Sequence, residues 1–216
     1  MSLWQLGGKQ LISGRFKTHL QGAPVGTFEI DSPDAEISGQ VDLELPGTTF
    51  KVTVVSGGPS EGKNRVRVVG GAGGLRTVLE AQHYYQATVR MVVDAGLQAG
   101  GERLSLLSDQ GALNQTIRDF MRFNESLGLL LDAVARTTGL LWRVQADGTV
   151  LLASPTWETV EPEHALLRED PAELTMLISS EDGLVQPGTT FLGKRVLAVE
   201  HFFGEGAWRS LVHYQG

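Results

Sequence analysis

Ile37-Ser38-Gly39-Gln40-Val41-Asp42-Leu43-Glu44-Leu45-Pro46-Gly47-Thr48-Thr49-Phe50-Lys51-Val52-Thr53-Val54 decides the fold class of this chain. Ile37, Val41, Leu43 and Leu45 fall on one parity, while Gln40, Asp42 and Glu44 fall on the other. That period of two is a strand with one face in a core and one in water. Pro46-Gly47 interrupts it with a turn, proline presetting φ and glycine free to take φ > 0. Phe50, Val52 and Val54 then resume the alternation on a second strand.

The pattern extends outward in both directions. Gly57-Gly58-Pro59-Ser60-Glu61-Gly62 reads as a loop, Arg65-Val66-Arg67-Val68-Val69 as another strand, and the glycines at 70, 71, 73 and 74 close it. Short strands between such turns predict a sandwich or barrel. In the middle, Thr88 to Leu97 reads as a short helix despite its β-branched residues. A stronger helix spans Ser126 to Thr138, with Leu127, Leu130, Leu131, Val134 and Ala135 on one face, Ser126 as cap and Gly139 as stop. Leu140–Val144, the turn Asp147-Gly148 and Thr149–Ala153 form a hairpin. Ser154 to Pro171 is acidic, carries Pro155, Pro162 and Pro171, and reads mostly as loop. Lys194–Phe203 and Ala207–Tyr214 are strands joined by a turn at Gly204-Glu205-Gly206.

Pro46-Gly47-Thr48-Thr49-Phe50 recurs as Pro187-Gly188-Thr189-Thr190-Phe191. Either two ordinary turns share good turn residues, or two related β-barrels stand at the two ends of the chain. The expected fold class is mainly β with a helical insert, built on two tube-like β-barrels. Residues 1–80 form the first barrel, 81–139 a helical connector, and 140–216 a hairpin with the second barrel, strand exchange between barrels being allowed.

The 216 residues suffice for one large domain or two small ones. A net charge of −7 argues against general nucleic-acid binding, although Arg65 and Arg67 leave room for a local basic strip. The absence of cysteine removes disulfides, thiol catalysis and thiolate metal sites. No apolar run reaches transmembrane length, and Met1-Ser2-Leu3-Trp4 does not open a signal peptide, so no membrane insertion is expected.

Candidate chemistry dissolves residue by residue. Gly57, Gly62 and Lys63 match phosphate-loop spacing, but Asn64 stands where Ser or Thr must hold Mg²⁺, and a strand follows where a helix is needed. The histidines 19, 83, 164, 201 and 213 include no pair at helical metal spacing, and His201 and His213 are expected near each other across the final hairpin, hydrogen-bonded and partly buried. Asp31, Asp34 and Glu36 lack the glycine and terminal glutamate of a calcium loop. The expectation is no enzyme, no catalytic residue, no metal and no cofactor. Trp142, Phe202, Phe203 and Trp208 are candidate interface anchors.

Three stretches together resemble one family: Val41 to Val52 with Val66 to Gly71; the helix and hairpin Leu129 to Val150; and Gln186 to Val196 with Val199-Glu200-His201 and Trp208-Arg209-Ser210. This order is similar to the tail baseplate hub group of bacteriophages, which includes the late-control-D proteins and shares its fold with type VI secretion spikes. The resemblance implies a homotrimeric virion structural protein, made in the bacterial cytoplasm and residing in the virion or prophage tail. Each subunit would give two tube-like barrels, so that three chains adapt a sixfold tail tube to a threefold spike or tip. Its partners would be other tail proteins, with DNA only as passing cargo. The alternatives are a β-sandwich module binding a host-surface glycan or protein, which needs an open aromatic groove, and a small hydrolase, which needs converging carboxylates or histidines.

Overall fold

The computed structural model describes residues 4–31, 36–60, 62–161, 165–179, 185–204 and 207–216. Strands β1 (Gln5–Leu6), β2 (Lys9–His19), β3 (Val25–Ile30), β4 (Gly39–Leu45), β5 (Thr48–Ser60) and β6 (Lys63–Gly70) come first. They pair in the antiparallel order β1-β4-β5-β6-β3-β2, and β1 also pairs with β2, which closes a six-stranded barrel. The short β1 bridges the ring by pairing Glu44 and Leu43 of β4 on one side and Gln10 and Lys9 of β2 on the other. Leu43, Leu45, Phe50 and Val52 point into it as the alternation requires, with Ile37, Val41 and Val54 packing at its margin. At the centre Phe16 meets Phe50 edge-on at 4.8 Å between ring centroids and stacks with Phe28 at 6.4 Å. Each of these fully buried side chains contributes about 1.5–3 kcal/mol of burial.

The connector follows: a 3₁₀ turn (Gly74–Arg76), β7 (Val78–Leu79), β8 (Gln82–Thr88), α1 (Val89–Gly100), α2 (Gln110–Leu113), β9 (Thr116–Arg122), β10 (Glu125–Ser126) and α3 (Leu127–Thr138). Thr88 caps α1 by accepting from the Met91 N–H, and Ser126 caps α3 by accepting from the Leu129 N–H. The hairpin β11 (Leu141–Val144) and β12 (Val150–Ala153) packs Trp142, Val144, Val150 and Leu152 onto both long helices, so these elements share one core. β8 and β9 form a separate two-stranded ribbon.

The last strands are β13 (Thr159–Val160), β14 (Leu166–Asp170), β15 (Thr175–Ser179), β16 (Thr190–Phe191), β17 (Lys194–Gly204) and β18 (Ala207–Gln215). They bury Met176, Ile178, Val185, Phe191, Val196, Val199, Val212 and Tyr214 in a core of their own. β2 joins them to the barrel. Along one edge, its Lys9 and Gln10 pair with β1, whereas Gly14 to His19 pair with β17; a bulge opposite β3, between Leu11 and Ser13, marks the change. The sheet therefore runs on from the barrel as β2-β17-β18-β15-β14, with β16 and β13 off β17.

One expected loop is a strand, and another contains two short ones. Gly57–Ser60 stay in β5, facing Val66 to Lys63, because a bulge after Val54 lets the ladder continue to the hairpin end; Glu61 lies outside the described residues. Thr159–Val160 and Leu166–Asp170 also pair, since prolines at the sheet margin remove no ladder donor. Both Pro-Gly-Thr-Thr-Phe turns bury their phenylalanine in separate cores, yet the first opens a 13-residue strand and the second a two-residue one.

Candidate assembly surface

The face of the sheet turned away from the barrel interior runs without interruption across β6, β3, β2, β17, β18 and β15. Strand alternation places Arg65 and Arg67 of β6, Arg15 and Lys17 of β2, and Arg209 of β18 on it, while Val66, Val68, Phe16, Thr18 and Ser210 point to the cores. Lys63 joins them at the end of β6. The carboxylates on the same face of these strands are Glu29 and Glu200. Glu29 accepts from the Ser13 hydroxyl at 2.8 Å and pairs with Lys63 at 3.2 Å, and these two contacts hold its carboxyl below the usual range. Glu200 lies 3.8 Å from Arg15, whose side chain is 78% exposed. A cleft of about 940 Å³ lies over the β2–β17 seam, and a smaller one of about 240 Å³ beside it shares Arg15, Thr27 and Glu200.

At one end of this face His19 and His213 both pair in register with Ala198, so the two rings flank one small side chain. Burial, then Lys17, then His213 push the His19 ring below its ordinary pKa; burial, then Lys17, do the same to His213. His201 is not the neighbour of His213 that the sequence led us to expect. The pairing register turns it inward, where its Nδ1 lies 2.6 Å from the Ser210 hydroxyl. His83 meets Asp119 on the ribbon, and His164 lies outside the described residues.

The four expected anchors fall in different places. Trp142 is buried in the connector core and donates from Nε1 to Asp132 at 2.7 Å. Phe203 and Trp208 pack with Trp4, at centroid distances of 4.0 and 5.2 Å from it, against the barrel core. Phe202 faces the larger cleft, in register between Arg15 and Arg209. Lys63 of the apparent phosphate loop sits in a hairpin strand, and Asp31 and Glu36 flank a segment, including Asp34, outside the described residues. Among the described residues, no group of three or more His, Asp or Glu is placed to hold a metal ion.

Exposed apolar residues appear that the sequence reading did not single out. Leu106 is 94% and Leu107 75% exposed on a tight turn. That turn is pinned on both sides: the Ser105 N–H donates to Val150 O, the Asp109 N–H to Leu152 O and the Leu107 N–H to Ser105 Oγ. Tyr85, Met121 and Phe123 are exposed on and beside the β8–β9 ribbon. Two adjacent leucines outside any periodic run were the available signal.

No protein-family model matches the sequence, and no curated protein does. Solved structures do resemble the fold. A 43 kDa tail protein of prophage MuSo2 from Shewanella oneidensis superposes with a TM-score of 0.71 at 9% identity, covering 98% of this chain and 96% of that one. A tail protein from Neisseria meningitidis MC58 gives 0.71 at 13%, covering 98% and 95%. The E. coli c3393 protein, described as a component of the type VI secretion system with structural similarity to the T4 bacteriophage tail proteins gp27 and gp5, gives 0.69 at 11%, covering 100% and 77%. The chain is thus similar in fold to phage tail and secretion-spike proteins.

Proposed function

We propose that this chain is a structural subunit of a phage-type tail: a baseplate or tail-tip hub of the late-control-D kind, joining the tail tube to the spike or tip. It acts as a non-enzymatic homotrimer in the virion tail after synthesis in the bacterial cytoplasm. In this reading residues 1–80 and 140–216 supply two tube-like barrels, residues 81–139 the connector, and the strands after β12 build the second barrel around their own core. The observation that carries the proposal is the shared β2 edge, which fuses the closed barrel and the C-terminal strands into one sheet with a cleft over their seam. Two fused units per chain are what a threefold ring with six pseudo-equivalent positions requires. The fold likeness over nearly the whole chain supports it further.

Subunit contacts would come from Phe203 and Trp208 near the seam, with Trp142 holding the connector from beneath, and from the pinned Leu106–Leu107 turn; Phe202, the fourth expected anchor, faces the cleft instead. The larger cleft carries phenylalanine among arginines rather than the aromatic platform that a glycan module needs. Light scattering over a concentration series, with negative-stain images, tests the proposal. The expected result is three chains around a central hole; a mass of one chain at every concentration, with and without tail partners, refutes it.

A further inference from the structure

We propose that the uninterrupted basic sheet face is a contact surface for the phosphate backbone of duplex DNA. Across six strands the register aligns Arg67, Thr27, Arg15, Phe202, Arg209 and Ser179 in one row. Neighbouring strands lie about 4.8 Å apart, so the three arginines recur at intervals of about 10 Å. Arg65, Lys17 and Lys63 flank the row, and the two carboxylates of these strands are already engaged, Glu29 by Ser13 and Lys63 and Glu200 by Arg15. The face thus gathers six cations against two carboxylates in a chain whose net charge is −7. Such segregation opposes the average of the molecule and creates a local positive field over a cleft.

The occupant follows from what the face offers. Long cations interleaved with the hydroxyls of Thr27 and Ser179 suit phosphate oxygens. A protein partner would instead call for a desolvated apolar centre with a polar rim, whereas here the apolar side chains are divided: Phe202 stands between Arg15 and Arg209, and in the next row Lys17 with Glu200 separates Val69 and Val25 from Leu211 and Leu177. A duplex carries one charge per about 1.7 Å of axis, so arginines about 10 Å apart engage few of its phosphates. The contact is weak, indifferent to sequence and compatible with sliding, as passage through a tail demands. The inference rests on the tail-subunit reading only for the source of the DNA.

The test is fluorescence anisotropy of a labelled random-sequence duplex titrated with the full chain at rising salt. Engagement of three phosphates predicts a loss of about 40-fold in affinity between about 50 and 200 mM salt. The combined Arg15→Glu, Arg67→Glu and Arg209→Glu variant should lose at least about tenfold, as expected for three lost phosphate contacts. A variant with Lys9→Glu, Arg118→Glu and Arg136→Glu, the same charge change at exposed sites off this face, should bind like the parent. Thermal melts confirm that both variants fold. No binding at the lowest salt, equal losses in both variants, or loss of oligomer in the first variant with DNA affinity retained would each overturn the inference. A ring that forms but has no affinity for DNA would end this inference while leaving the hub reading intact.

Discussion

Replacing Gly74 by alanine tests the junction that holds the barrel to the connector. A Cβ at Gly74 would lie 1.6 Å from the Gly100 carbonyl oxygen and 2.6 Å from its carbon. Both partners are backbone, so no rotamer change relieves the clash. Ordinary contact begins near 3.4 Å; the 3₁₀ turn or the end of α1 must therefore give by about 1.8 Å, well beyond what close-packed interiors absorb. Neither is free to do so. The buried Glu102 carboxylate, just after α1, accepts from the Gly74 N–H at 2.8 Å and the Ala72 N–H at 3.0 Å. The substitution thus adds an overpacking cost of about 1–3 kcal/mol to the loss of a charged hydrogen bond worth about 1.5–3 kcal/mol. At about 2–4 °C per kcal/mol for a chain of this size, the melting temperature should fall by about 5 °C or more. Circular dichroism melts measure this directly. Gly58→Ala is the control, since a Cβ there meets nothing within 4 Å and no positive φ forbids it. A Gly74→Ala protein that melts within about 2 °C of the parent, a shift worth less than about 1 kcal/mol, would refute the reasoning.

Other consequences are equally concrete. Trp142→Phe removes one of the two donors on Asp132, the other being Gln21 Nε2 at 2.8 Å, and should cost about 1–2 kcal/mol in chemical denaturation. His19 and His213 have folded pKa values below the ordinary 6.5, so the unfolded chain binds more protons than the folded one near that pH. Their contribution to stability is present above 6.5 and lost as pH falls through the lowered folded values, so melts should weaken on acidification, and the double His19→Asn, His213→Asn variant should flatten that dependence. Leu106→Ser with Leu107→Ser should leave the melting temperature within about 2 °C, because neither side chain is buried, while weakening self-association in light scattering.

The legible parts of the chain were those in which local pattern and final environment agree. The alternation from Ile37 to Val54 survives intact in β4 and β5, and the cap, face and stop of α3 appear as spacing implied, with Gly139 at φ 72°. The hairpin at Asp147-Gly148 also follows from its turn residues, the Asp147 carboxylate accepting from the Thr149 N–H at 2.9 Å. Hidden features depend on long-range register. Nothing local says that β2 will divide one edge between β1 and β17, 181 residues separating Thr18 from Val199, which it meets across the seam. For the same reason Arg65 and Arg67 could be suspected as a basic strip, whereas their alignment with Arg15 and Arg209 could not. The loop reading at 57–60 failed, and that of 154–171 as mostly loop missed two short strands, because glycine and proline at sheet margins remain compatible with pairing.

A cryo-electron microscopy map of the assembled protein tests the central claim most directly. It should show three copies around an open axis, with β6, β3, β2, β17, β18 and β15 of each copy lining the hole. A map in which this face is packed against another protein, or in which β2 and β17 of one chain are parted, would contradict the account.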